Sequence, residues 1–478
     1  MRAVTCFALT LAILGFVTQP QADAWPVIWG GTHNDGCFGV TPSPTGGIVA
    51  VGYSNYGGDN RWRAAAYSSS GLLIWSREET LPGGEAQDVA TDSQGYIYVC
   101  GSYQGSHQTD GYTYKYTPDG SSVSWRGGFC DTAGMNDASG VAVGPSGNVV
   151  FVGYTSLEGH KDWHVVSCNT NGAPQWWDTT SLGDSSNARD VTIDSWGNVY
   201  VCGGYWQSER RKGYVMSYAP SGGVRWQGTL TGGDTISDAF GIAADALGNP
   251  IVVGYYRPSG NNVWRVEKDS GTNGEHQWHR TWSHGAGSEA RAVATCRNGN
   301  IYVIGDYPSD KRRGHIIKYT SAGDSSNVNE EWGIGGNEDP YGIAVFGPVA
   351  GHDLYTAGTT DSLGSLDWAV QKRTGGTGAI GEGAATKGGR ISLVCTPSMF
   401  RDRVLVTYTL SQAAAVNLAV VNSAGRVTTT LADGRRDPGS YSVSLNVTDA
   451  RTRLSSGIYF CRLRVGEFTA TQKMVKFQ

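Results

Sequence analysis

Seven residues recur at one position of this chain: Asp35, Glu85, Asp137, Asn187, Asp238, Glu289 and Asp339 follow one another at intervals of 50 to 52 residues. All but Asn187 are carboxylates. If a fold gathers them around one opening, the ring could hold a cation such as Ca²⁺, which takes several oxygen ligands, or attract a cationic ligand. The same residue types also cap turns by accepting bonds from nearby backbone N–H groups. Between the acids lie stretches that vary from repeat to repeat and carry aromatic and basic side chains. They include Tyr53 and Trp62; His160, Trp163 and His164; Trp206, Arg210 and Arg211; Tyr255 and Trp264; and Tyr307, Arg312 and Arg313. As loops on a rigid scaffold these would suit recognition of a glycan or a peptide. The candidate ligand-binding set is therefore Asp35, Glu85, Asp137, Asp238, Glu289, Asp339, Trp163, Trp206, Arg211 and Arg312.

Catalytic patterns are weaker. His276, His279 and His284 crowd around Trp278 and Trp282, but no carboxylate pattern accompanies them in the sequence, so no metal centre is expected and Ca²⁺ at the ring is the one ion considered. No Gly-x-Ser-x-Gly, phosphate-loop or dinucleotide motif is present. Glycoside hydrolysis needs two carboxylates at a set separation, which the ring could supply. Binding is the expected role, with a glycan hydrolase or lyase, or a structural surface-layer component, as alternatives.

The elements that position these residues follow from two further markers. Tryptophan recurs at Trp29, Trp75, Trp125, Trp176, Trp226, Trp278 and Trp332, and a glycine closes an apolar run at Gly52, Gly101, Gly153, Gly203, Gly254, Gly305 and Gly358. Each period of about fifty residues contains four stretches with the two-residue alternation of β-strands. Four-stranded antiparallel units repeated radially predict an all-β fold, a seven-bladed β-propeller spanning 25–374. The seventh unit lacks its outer strand, whereas the chain offers a spare one at Val27-Ile28-Trp29. That strand is predicted to complete the last blade and close the ring.

Composition fits a soluble all-β protein. With 37 Lys and Arg against 42 Asp and Glu, the net charge of −5 argues against a nucleic-acid partner. Arg2, the apolar run Phe7 to Val17 and the small-residue site Ala22-Asp23-Ala24 read as a signal peptide over 1–24. No transmembrane segment is expected in the mature chain, which would be secreted or displayed on the outer cell surface. Cys100 and Cys202 share one strand position two units apart and read as buried thiols, leaving Cys395 with Cys461 as the disulfide candidate.

Residues 375–389 are rich in Gly, Ala and Thr and read as a linker. Beyond it, 390–478 contains about seven strands and no tryptophan, predicting an Ig-like β-sandwich. Tyr408-Thr409-Leu410-Ser411, then Asn422, Gly425-Arg426-Val427, Gly439, Tyr441, Ser456-Gly457-Ile458-Tyr459-Phe460 and Lys473-Met474-Val475 resemble the C-terminal sorting domain of the type IX secretion system. That resemblance implies export across an outer membrane, with the secretion machinery as a partner. Tyr114-Lys115-Tyr116 with Pro118-Asp119-Gly120, Gly241-Ile242-Ala243, and Gly197-Asn198-Val199-Tyr200-Val201-Cys202-Gly203 resemble the bacterial seven-bladed β-propeller repeat. It implies a fold and a secreted habit, and no particular chemistry.

Overall fold

The computed structural model describes residues 25–374 and 391–476, except 31–32, 45, 82, 106–108, 129–135, 158, 231–235, 286, 333–335, 347–351, 362–364, 397–398, 401–402, 411–412, 423–425, 438, 447–453 and 466–467. The expected signal peptide and the expected linker lie outside these residues. Every regular element described is a β-strand.

Seven four-stranded antiparallel sheets form the larger unit. The first comprises Gly36–Pro42, Ile48–Tyr56, Asp59–Tyr67 and Leu73–Glu79 in spatial order. The next five repeat that order from first strands at Glu85–Thr91, Asn136–Val143, Ser185–Ile193, Ile236–Ala244 and Glu289–Thr295. Each first strand neighbours the next, and the strand Glu338–Phe346 of sheet seven returns to Gly36–Pro42, so the first strands form a closed, propeller-like cycle. Sheet seven takes its fourth strand from the other end of the unit: Val27–Trp29 pairs antiparallel with Asp367–Thr374, Trp29 opposite Trp368. Pairing there removes an open edge.

The repeated glycine has one cause in every sheet. Each first strand carries a bulge, as between Ala239 and Gly241, which drives the carbonyl of the preceding residue over the second strand. A Cβ at Gly52, Gly101, Gly153, Gly203, Gly254, Gly305 or Gly358 would overlap the carbonyl oxygen of Gly36, Glu85, Asp137, Asn187, Asp238, Glu289 or Asp339, respectively.

The outer tryptophans are clasps at the rim rather than core. Trp125, Trp176, Trp226 and Trp278 each donate Nε1–H to a carbonyl in the next sheet's outer turn, Thr170, Pro220, Gly271 and Ser321, at 3.0 to 3.1 Å. Trp25 does the same to Ser69 at 3.0 Å, so Trp25, and not Trp29, is the first sheet's clasp partner. The position in sheet six belongs to Ser326, opposite Lys318, while Trp332 lies opposite Gly314 and is buried.

The indoles that fill the core follow a longer period. The third-strand position opposite the residue after each repeated glycine reads Trp62, Gly111, Trp163, Gly213, Trp264, Gly314 and Trp368. Tryptophan and glycine alternate from sheet one to sheet seven, so two tryptophan sheets stand side by side where sheet seven meets sheet one. Trp62 and Trp264 donate to the carbonyls of Ser102 and Asp306 in the following sheet at 2.9 and 3.0 Å. The first-strand residue after each bulge alternates in step: Gly39, Asp88, Gly140, Asp190, Gly241, Ala292, Gly342. Asp88 and Asp190 accept from the backbone N–H of Val141 and Ile242 in the next sheet at 2.9 and 2.8 Å, stapling neighbouring first strands. Burial raises the pKa of both carboxyls, and Asp190 raises that of Asp88 further.

The smaller unit has two sheets. Ile391–Thr396, Arg403–Leu410 and Gly439–Asn446 form one; Met399–Phe400, Phe468–Lys476, Gly457–Val465, Ala414–Asn422 and Val427–Arg436 form the other. Val404, Val406 and Tyr408 of the first share a core with Leu418, Val420, Cys461 and Leu463 of the second. The Cys461 thiol is free and buried in that core, and the side chain of Cys395, its candidate partner, lies outside the described ones. Cys100 and Cys202 are buried free thiols, and burial pushes both pKa values up.

Candidate functional site

Each first-strand bulge leaves one residue without a partner on the second strand: Phe38, Gln87, Ser139, Arg189, Phe240, Arg291 and Tyr341. Because the first strands surround a common centre, these residues meet across sheet boundaries. The Arg189 guanidinium lies 4.7 Å from the Phe240 ring centroid and that of Arg291 5.0 Å from the same ring. Tyr341 meets Phe38 edge-on at 5.1 Å. An arc of aromatic and guanidinium groups thus runs through sheets four to seven and back to sheet one. None of these bulge residues belongs to the sequence-derived set. Their shared signal was a position two residues after Gly36, Glu85, Asp137, Asn187, Asp238, Glu289 and Asp339, legible only once the bulge is known.

The acids flank this arc and are engaged by neighbours. Asp238 is buried and accepts from Arg189 at 2.9 Å and Arg211 at 2.5 Å. Arg211 also donates to Asn187 Oδ1 at 2.6 Å. Glu289 accepts from Asn262 Nδ2 at 2.6 Å and pairs with Arg291 at 2.8 Å. Arg312 pairs with Asp339 at 2.7 Å and approaches Asp306 at 3.4 Å. Asp306, absent from the sequence-derived set, is buried and bonds Arg291 at 2.8 Å; burial raises its pKa and Arg291 opposes that shift. Glu85 accepts from Asn60 Nδ2 at 2.7 Å, and its pKa is raised by burial. Asp137 is raised by burial too, with Lys161 opposing.

Two members of the set are corrected. Asp35 stands one residue before the ring, since Gly36 occupies the position opposite Tyr53 that Asp238 occupies opposite Tyr255. Its carboxylate is buried and accepts from the backbone N–H of Asn55 at 2.9 Å. Trp163 is fully buried and packs with Val191 and Val201 of the next sheet, so it presents no surface to a ligand. The underlying error concerns the loops. Second and third strands run on to tight turns, as at Ser208 and Glu209 with φ of 51° and 63°, so Trp62, Trp163 and Trp264 lie inside strands. Trp206, by contrast, is exposed and lies 5.7 Å from the Arg211 guanidinium, and Arg312 is half-exposed.

The arc offers guanidinium donors, carboxylate acceptors and aromatic faces side by side. Around it Arg189, Arg211, Arg291 and Arg312 are matched by Asp238, Glu289, Asp306 and Asp339, so local charge is balanced.

No protein-family model and no curated protein matches the sequence. Among solved structures, the chain is similar to Sqt1 from Chaetomium thermophilum, with 11% identity, coverage of 72% of this chain and 97% of the other, and a TM-score of 0.43. It is also similar to a fungal alcohol oxidase of the AA5 family in complex with copper, with 12% identity, coverage of 96% and 100%, and a TM-score of 0.46.

Proposed function

We propose that this chain is a secreted or cell-surface binding protein, a seven-bladed β-propeller whose central mouth binds a glycan. The observation that carries the reading is Phe240 between Arg189 and Arg291, with the Tyr341 and Phe38 pair further along the same arc. Sugars present alternating C–H faces and hydroxyls. Aromatic rings take the former, while paired guanidinium and carboxylate groups donate to and accept from the latter. Trp206, Arg211 and Arg312 extend that surface outward, and charge balance suits a neutral ligand.

A glycan array probed with the full chain tests this. Hits are expected, and calorimetry with Phe240→Ala and Arg291→Gln should each weaken them by about tenfold or more, the cost of one central contact. Silence across the array, or hits unaffected by both variants, would refute it. Release of a shortened product from a hit would make the chain an enzyme.

The C-terminal unit is proposed to be an Ig-like sorting domain that engages the type IX secretion machinery after signal-directed passage across the inner membrane. Support comes from the motif residues between Tyr408 and Val475 and from two sheets packed over one core. Truncation after Gly389 is expected to leave a folded larger unit in the periplasm; surface labelling that finds the truncated chain outside the cell would overturn the sorting role.

A further inference from the structure

Sheet five departs from sheets one to four and six at one spot. The last residue of the third strand is a buried tyrosine in sheets one, two, four and six, Tyr67, Tyr116, Tyr218 and Tyr319, opposite Leu73, Val123, Val224 and Ser325. In sheet five it is Asp269, opposite His276. Two residues earlier the companions place Ala65, Tyr114, Val166, Met216 and Ile317, and sheet five places Glu267 opposite His279. A core-filling pair has been exchanged for two carboxylates and two histidines. Both carboxylates remain buried, at 1% exposure for Glu267 and 6% for Asp269, a costly substitution unless something compensates the charge.

The backbone explains how four such side chains meet. Residues two apart on a strand share a face, so Arg265, Glu267 and Asp269 project together. His276 and His279, three apart, would point to opposite faces of a regular strand. The register shift between Lys268 and Asp269 inserts Gln277 as an extra residue on the outer strand and returns both rings to one side. His276 Nδ1 then lies 3.3 Å from Asp269 Oδ1 and 3.5 Å from Glu267 Oε1. Its other nitrogen, Nε2, is 3.1 Å from His279 Nδ1. Arg265 holds Glu267 Oε2 at 2.6 and 2.9 Å, fixing the carboxylate plane with Oε1 toward His276.

We propose that Glu267, Asp269 and His276 form a binding site for a single divalent transition-metal ion, best matched by Zn²⁺, with His279 as a positioning residue. The three ligand atoms lie within 4.8 Å of one another, the one such group among the described residues. Tetrahedral bonds of about 2.0 to 2.1 Å require ligand atoms roughly 3.3 to 3.4 Å apart, close to the separations of His276 Nδ1 from the two carboxylates. Mixed imidazole and carboxylate donors suit Zn²⁺ better than Ca²⁺ or Mg²⁺, which favour oxygen alone. With an ion on Nδ1, the proton of His276 sits on Nε2 and is donated to His279 Nδ1, 3.1 Å away. That contact behind a ligating ring sets its tautomer, and Arg265 sets the carboxylate likewise. The side chain of His276 is 30% exposed on an outer strand, so an ion enters from solvent and the fourth position stays open to water.

Titrating ZnCl₂ into the chelator-stripped full chain by calorimetry should give one site per molecule. His276→Ala and Asp269→Asn are each expected to weaken it by about 100-fold or more, and His279→Ala by roughly 10- to 100-fold. His284→Ala, a neighbouring histidine outside the cluster, should leave affinity unchanged. Melting curves recorded with chelator check that each variant is folded, and Asp269→Asn preserves shape should His276→Ala fail. Replacing Zn²⁺ by Co²⁺ gives a second readout, a visible spectrum without the intense sulfur charge-transfer band that the half-buried Cys296 would add. Absence of stoichiometric binding in the parent overturns the assignment. So does affinity retained in both ligand variants, or a Co²⁺ spectrum with thiolate bands.

Discussion

Removing residues 25–30 is expected to lower the thermal midpoint by on the order of 10 °C and to promote aggregation. Trp25, Val27 and Trp29 pack against the core shared by sheets seven and one. Trp25 meets Tyr355 edge-on at 5.6 Å, and the Arg63 guanidinium sits 3.5 Å from a Trp29 ring centroid. Three half-buried apolar side chains at about 1.5 kcal/mol each, with the lost ladder to Asp367–Thr374, come to about 5 kcal/mol. Deletion also bares the backbone of Asp367–Thr374 as a sheet edge. Calorimetric melting and light scattering of the shortened chain measure both effects; an unchanged midpoint and solubility would show that closure does not depend on this strand.

Gly254→Ala is expected to cost about 3 kcal/mol or more, because the new Cβ meets backbone on a strand that cannot move alone. It would overlap the Asp238 carbonyl and press on Ala239 Cα at 3.0 Å. Relief requires shifting the bulge that carries Phe240, so the proposed glycan affinity should fall with stability. Gly127→Ala is the matched control: it lies in the strand Val123–Gly128, nothing stands within 4 Å of its Cβ position, and a change within about 0.5 kcal/mol is expected. Chemical denaturation of both variants decides the matter. Equal midpoints would mean that the repeated glycine is not required by close approach.

Periodicity exposed the repeat because every sheet solves the same packing problem. The glycine marker was read at the right residues in all seven sheets. The tryptophan marker was read correctly at Trp75, Trp125, Trp176, Trp226 and Trp278, while Trp29 and Trp332 mimic it. The intervals that enclose those two, 46 and 54 residues, were the warning, since Trp25 restores an interval of 50. Alternation of Trp62, Gly111, Trp163 and Gly213 was also present in the letters, at 101 residues from Trp62 to Trp163. It stayed hidden because a period of fifty accounts for the strands without it.

Sites were less legible. Strand alternation says which residues share a face only while register is regular, and both clusters described above are made by bulges. Phe240 reaches Arg189 and Arg291 because one extra residue interrupts pairing in each first strand. His276 and His279 reach one side because Gln277 interrupts it in the outer strand. The carboxylates that complete the histidine cluster stand seven and nine residues upstream of His276, on a different strand, beyond any linear motif.

What the amino-acid sequence determined by itself was the repeating four-stranded unit, the spare strand at Val27 and the change of rhythm beyond residue 390, since hydrophobic alternation and turn residues are local properties of the chain. Tertiary structure alone decided which acids are paired, which indoles are core and which are clasps, and where aromatic, guanidinium and imidazole groups converge. Those outcomes depend on one-residue shifts of register and on the distance between neighbouring sheets, and a shift of one residue moves a side chain to the other face.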